Sequence, residues 1–273
     1  MENLNRLWRF FFAISLGALA VQQLIYGNFR PVILPPSFPP WLPGRLVWTW
    51  LFSVLLIAGC TAIILEIKAR SVATILGGVL LLFVLSFHIP YQLSFTPTQL
   101  GVWTNALKAL ALSGGAFIVS ESLPKERNNS AFTKILENLI PLGKYFLAVM
   151  MVIFGIDHFL YTSFVATFVP NWIPGHVFWT YFAGACLIAA GIAIILNIQR
   201  STATKLLGVM LFLWLIILHL PRAIADPTSG DANEWTSVFE VMAFGGTAFL
   251  LYKKTDKDSQ SVKKNNQQRL TAV

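Results

Sequence analysis

The sequence predicts an all-α integral membrane protein of eight transmembrane helices, arranged as two parallel four-helix repeats. Three observations predict it. The chain of 273 residues is 56% hydrophobic and only 12% charged, against about 25% charged for a typical soluble protein. Its apolar runs reach the roughly 20 residues that a helix needs to cross a hydrocarbon layer. Lastly, "PPWLPGRLVWTW" at 39–50 returns as "PNWIPGHVFWTY" at 170–181, so one plan is written twice.

The spans read in order as 7–27, 44–66, 72–90, 101–121, 142–162, 175–198, 203–221 and 234–252. The first follows Arg6 and Arg9 and contains "ALA" at 18–20, which imitates a secretory signal and its cleavage site. However, "QQLIYGNF" at 22–29 aligns with "DHFLYTSF" at 157–164, in mid-chain, so the first run is expected to stay as a span. The second and sixth open at Pro-Gly, where proline suits a first turn. From Trp41 to Pro90 the chain aligns without a gap to Trp172 to Pro221; the matches include Trp48 with Trp179, Gly77 with Gly208, and His88 with His219. After a single inserted residue, Trp103 matches Trp235 and Gly114 matches Gly246. The expected domains are a first repeat over 1–123, a cytoplasmic linker over 124–141, a second repeat over 142–252 and a disordered basic tail over 253–273. Four crossings return the chain to its starting side, so the halves share an orientation about a pseudo-two-fold axis along the membrane normal.

A net charge of +8 would suit nucleic acid, but the placement of the bases argues against that partner. Of the 20 Lys and Arg, Arg30, Arg45 and Arg222 fall on one side and Lys108 lies within a span; the others gather at the N-terminus, the alternate turns and the tail. Such asymmetry is the positive-inside signal. It predicts a plasma (inner) membrane protein with both termini cytoplasmic and both Pro-Gly loops outside.

The motif order resembles the DoxX-like membrane proteins. It runs from a polar-His-Phe motif late in the first helix, through "VPNWIPGHVFWTYFAGACLIAAG" and "LLGVM" with "LHLP", to a Trp-led fourth helix ending in Gly-Gly. The first half departs from the pattern where Gln22-Gln23 stands for Asp157-His158, and where "PVILPPSFPP" lengthens the loop. The resemblance implies the fold and a neighbourhood of quinone-linked chemistry. It supplies no catalytic residues.

Chemistry must therefore come from polar residues inside the spans, where an ionisable group disfavours insertion by about 2.5–3.5 kcal/mol. Gln22, Gln23, His88, Lys108, Asp157, His158, His219 and Glu240 all fall in the outer third and form one layer beneath the Pro-Gly loops. Lys108 can snorkel; Asp157 and Glu240 are shorter and must pair, stay protonated or line a wet cavity. Lys108 and Glu240 are repeat-equivalent and opposite in charge, which makes them a candidate ion pair. His88 and His219 each precede Ile/Leu-Pro, so each serves either to bond a carbonyl freed near the proline or to face a ligand. Asp157-His158 titrates where the amides of the first half do not, which makes the pocket under "VPNWIPG" the expected active one. Trp172 and Trp179 read equally as lids over that layer or as an interfacial belt.

No metal is predicted, because no close His-x-x-His or Cys-x-x-Cys spacing occurs. Cys60 and Cys186 are not repeat-equivalent and read as packing residues. No cofactor motif appears, although a quinone would suit the layer, and nothing defines a complete catalytic apparatus. The expected function is the binding of a small lipophilic or amphipathic molecule, quinone- or lipid-like, in an outward pocket. The bilayer and a membrane redox partner are the expected associates, in service of a redox or transport system. The alternative is a non-catalytic membrane scaffold or assembly factor whose polar layer only ties helices together.

Overall fold

Proline and glycine punctuate this chain, and the helices begin and loosen where they fall. The structure, a computed structural model, describes residues 2–36, 39, 43–95, 97–126 and 131–252. Trp41 and the basic tail therefore lie outside the described residues. Within the described residues twelve α-helices follow in order: α1 Glu2–Tyr26, α2 Arg45–Ile64, α3 Ala69–Phe83, α4 Ile89–Phe95, α5 Thr104–Glu121, α6 Ala131–Glu137, α7 Gly143–Leu160, α8 Thr162–Ala166, α9 His176–Leu196, α10 Arg200–Trp214, α11 Leu220–Ala225 and α12 Ser229–Leu250. No strand occurs among the described residues.

Among those residues, seven helical stretches are long and apolar enough to cross a membrane: Glu2–Tyr26, Arg45–Ile64, Ala69–Phe95, Leu100–Glu121, Ala131–Leu160, His176–Leu196 and Arg200–Ala225. The eighth expected span corresponds to α12, whose regular helix runs over 233–250 after three left-handed residues. Asn233, Glu234, Thr236, Ser237 and Glu240 make it more polar than the other seven. The stretch read as a linker contains a helix. Residues 131–137 form α6, and Leu136 packs so tightly on α3 that a Cβ at Gly78 would lie 2.9 Å from it.

The same local geometry recurs in both halves. Gly44 and its repeat equivalent Gly175 both take left-handed φ (62° and 76°) at the start of α2 and α9, a conformation glycine adopts without a Cβ penalty. Val84–His88 and Leu215–His219 are both π-helical, with Ile89 N donating to Val84 O and Leu220 N to Leu215 O. Proline explains the widening: Pro90 and Pro221 cannot donate to the carbonyls four residues back, and their rings crowd that turn.

Packing follows the same correspondence. α1 lies on α2 and α12, while α7 lies on α9 and α5; α3 packs on α5 and α10 on α12; and α5 touches α12. A Cβ at Gly114 would meet Gly143 O at 2.5 Å and Phe146 Cβ at 2.8 Å, and one at Gly246 would meet Trp8 O at 3.0 Å and Phe11 Cβ at 3.3 Å. These glycines let α5 approach α7, and α12 approach α1, to backbone contact. The bundle thus has a Pro-Gly end, where α1 finishes, and a basic end, where α1 begins.

Candidate functional site

The expected polar layer divides into three groups. The first is hydrogen-bonded within the protein. Gln22, 6% exposed, donates through Nε2 to Ala232 O (3.0 Å) and accepts from Thr236 Oγ1 (3.1 Å). Buried Gln23 donates to Ser53 Oγ (2.9 Å) and accepts from Arg30 N (3.2 Å). His88, fully buried, donates through Nε2 to Ile33 O at 3.3 Å, while its Nδ1 is buried without a partner among the described residues. The chain's own loop supplies that carbonyl: Val32, Ile33 and Leu34 fold back into the bundle and are buried, so the longer proline-rich segment plugs its own half.

The second group is an ion pair. Lys108 Nζ lies 2.7 Å from a Glu240 carboxylate oxygen, with the side chains 20% and 3% exposed. The pair joins α5 to α12.

The third group is Asp157, His158 and His219, all half-buried. Asp157 Oδ1 is buried without a hydrogen-bond partner among the described residues. His158 Nδ1 donates to Phe154 O (2.7 Å) and does not bond Asp157, because adjacent helical residues point apart. His219 makes no hydrogen bond to a described residue, its Nδ1 is buried, and it lies within electrostatic reach of Lys108, Glu234 and Arg222. Arg222 is held by Glu234 at 2.6 and 3.0 Å and lies over the Phe168 ring. Trp172 is 72% exposed and so does not close over the layer. Trp179 donates to Pro174 O (3.1 Å) and stands edge-on to Trp214.

A sizeable cavity lies beside the first half, although the sequence pointed to the second. A groove of about 530 Å³ runs along α1, bounded by Gly17, Ala18 and Val21 on α1, Ile57, Cys60 and Ile64 on α2, and Trp235 and Phe239 on α12. Gln22 and Tyr26 stand at its Pro-Gly end. Small residues set its position. In the second half a Cβ at Gly155 would lie 2.6 Å from Gly184 O, and one at Gly191 would lie 2.7 Å from Ala148 O, so α7 and α9 close on each other. Ala20, Ser53 and Cys60 occupy the corresponding places on α1 and α2, and around Gly17 the nearest neighbour of an added Cβ is 3.8 Å away.

The groove's mouth carries a strained turn that sequence reading missed. Gly230, Asp231 and Ala232 have φ of 59°, 57° and 63°, a left-handed run that costs roughly 1–2 kcal/mol for each non-glycine residue. Gln22 holds it through Ala232 O, and buried Arg30 holds it through the carbonyl and carboxylate of Asp231. Burial lowers the Arg30 pKa, opposed by Asp231 and by Tyr26, over whose ring the guanidinium lies.

Fold and site together define an all-helical protein with several helices long and apolar enough to cross a membrane and an apolar groove along the first of them. Residues 147–240 match the family model of a domain of unknown function, DUF8561, which covers α7 to the middle of α12. No curated protein and no solved structure matches the chain significantly. Among the described residues no group of three or more His, Cys, Asp or Glu is placed to hold a metal ion.

Proposed function

We propose that the chain is an eight-crossing membrane protein of two parallel four-helix units on the DoxX-like plan, and that it binds a small lipophilic molecule in the groove along α1. The observation that carries this reading is the groove itself: about 530 Å³, within the size range of ligand pockets, apolar along its length and polar at one end. A quinone- or lipid-like molecule would lay its tail against Gly17, Ala18 and Phe239 and its polar end near Gln22 and Tyr26. The strained turn at the mouth agrees, since such strain persists where the surroundings hold it and gathers at binding sites. That molecule would serve a redox or transport system.

Other features support the plan. Beyond its left-handed turn, residues 233–250 of α12 span roughly 27 Å at 1.5 Å per residue, and Glu240 and Thr236 are turned inward, so α12 serves as the eighth crossing. The recurring π segments and glycine contacts suit a duplicated unit. The basic end is cytoplasmic, in the plasma membrane, by the charge asymmetry. In a variant lacking Cys60 and Cys186, an impermeant thiol reagent applied to intact cells should label Thr167→Cys and spare Lys125→Cys. The reverse pattern would invert the orientation.

The groove is tested by its contents. Protein purified in mild detergent should retain a lipophile enriched over the bulk membrane extract, and Ala18→Trp, which fills the groove from a half-buried position, should cut that enrichment at least severalfold. An extract identical to the bulk membrane and unchanged by Ala18→Trp would rule the reading out. A second reading, as a scaffold or assembly factor, draws on a different observation: Gln22, Gln23 and Glu240 are all satisfied by the protein itself. A stoichiometric protein partner without a bound lipophile would favour it.

A further inference from the structure

A second, smaller cavity lies at the basic end, remote from the groove and independent of how the groove is read. It holds about 100 Å³ among the ends of α5, α7, α10 and α12, with Lys144 and Arg200 on its wall, Glu121 and Ser122 at its rim, and Ile118 and Leu250 beneath.

Its chemistry emerges from the corresponding place in the first half. Lys144 is the counterpart of Arg9, in the register that also relates Gly143 to Trp8 and His158 to Gln23. Arg9 is buried and neutralised by the protein, with Nη2 2.6 Å from Glu2 and 3.1 Å from Glu66. Neither carboxylate has a free equivalent in the second half. Asn197 replaces Glu66 in the same left-handed conformation (φ 56° and 59°), and Glu137, the counterpart of Glu2, is engaged by Arg70 at 3.2 Å. Lys144 and Arg200, both half-buried, accordingly form no ion pair among the described residues. Lys144 Nζ rests over the Tyr145 ring, and Glu121 has an interaction of its own.

Two half-buried cations beside buried apolar side chains, with no ion pair among the described residues, favour a bound anion. Arginine's planar fork fits two oxygens of one phosphate, and lysine adds a point charge. Size narrows the choice: with a water taking about 30 Å³, this space admits a phosphate group but not a nucleotide. Basic pockets between spanning helices at the cytoplasmic side also suit anionic lipid headgroups. We propose that Lys144 and Arg200 form a phosphate site, filled by the headgroup phosphate of an anionic phospholipid.

The test uses the full chain in neutral detergent, its unfolding followed during addition of phosphatidylglycerol, phosphatidylcholine or inorganic phosphate. Phosphatidylglycerol should raise the midpoint saturably, by about 2–4 °C over phosphatidylcholine, as expected for roughly 1 kcal/mol of linkage in a chain of this size. Lys144→Gln with Arg200→Gln should abolish that difference, whereas Lys68→Gln with Lys125→Gln, exposed cations at the same end, should keep it. Because each variant serves as its own reference, altered basal stability does not obscure the result; if the double variant does not fold, Lys144→Gln alone should still reduce the difference. An equal rise in wild type and the Lys144/Arg200 variant, or no rise at all, would overturn the site. An equal saturable rise with inorganic phosphate would overturn the lipid as its source.

Discussion

Glu240→Gln should lower stability by about 3 kcal/mol, the largest loss expected from a single change in the polar layer. The amide keeps the shape of the side chain and one acceptor oxygen but removes the charge 2.7 Å from Lys108 Nζ. The ammonium is then left between α5 and α12 with no ion-pair partner among the described residues. Breaking a buried ion pair from one side costs about 3–5 kcal/mol. The lower figure applies because Lys108 is 20% exposed and can extend toward water. At about 2–4 °C per kcal/mol, the midpoint should fall by roughly 6–12 °C in detergent. Lys108→Glu combined with Glu240→Lys should restore much of that loss, since the two groups meet across helices with little else between them. Losses that merely add in the swapped variant would mean that the two side chains are not coupled.

The sequence made this pair a candidate but could not bring it together. Lys108 and Glu240 stand at equivalent points with opposite charges; equivalent points meet only if α5 and α12 lie on the axis relating the halves, and that adjacency is tertiary. The π segments were half legible: His-x-Pro marked a loosened turn twice, and the i to i−5 pairing followed once the ring crowded its neighbour. The plug over His88 was written as "VIL" amid prolines, an apolar run too hydrophobic for a solvated loop, yet length alone could not show it turning inward. Helix α6 had a signal that a reading by polarity passes over: Phe132, Ile135, Leu136, Leu139 and Ile140 follow helical spacing.

The groove was the least legible feature, because a cavity is a failure of two surfaces to meet. Its trace is comparative: glycine at 155, 184 and 191, where the first half has Ala20, Ser53 and Cys60. Likewise, Gly230 marked a left-handed residue, whereas Asp231 and Ala232 adopt that conformation only because Gln22 and Arg30 hold their carbonyls. The sequence places the polar residues at one depth. Which of them were already satisfied depended on contacts between distant parts of the chain, such as Gln22 with Ala232.

Gly114→Ala should cost about 2 kcal/mol through overpacking, even though alanine is the better helix former. A methyl there would stand 2.5 Å from Gly143 O and 3.3 Å from Leu147 N; both are backbone atoms of α7, so no rotamer change relieves the clash and the helices must separate. Overpacking of this kind costs up to about 3 kcal/mol, from which roughly 1 kcal/mol returns as helix propensity. Gly246→Ala faces the equivalent seam between α12 and α1, but its nearest obstacle is Trp8 O at 3.0 Å, so it should cost less. Gly17→Ala, on the wall of the groove with its nearest neighbour at 3.8 Å, should be neutral or stabilising by up to ~1 kcal/mol. Thermal unfolding of the three variants in one detergent orders them directly. If Gly17→Ala proved as damaging as Gly114→Ala, α1 would have to be packed as tightly as α7, and the groove could not stand open as described.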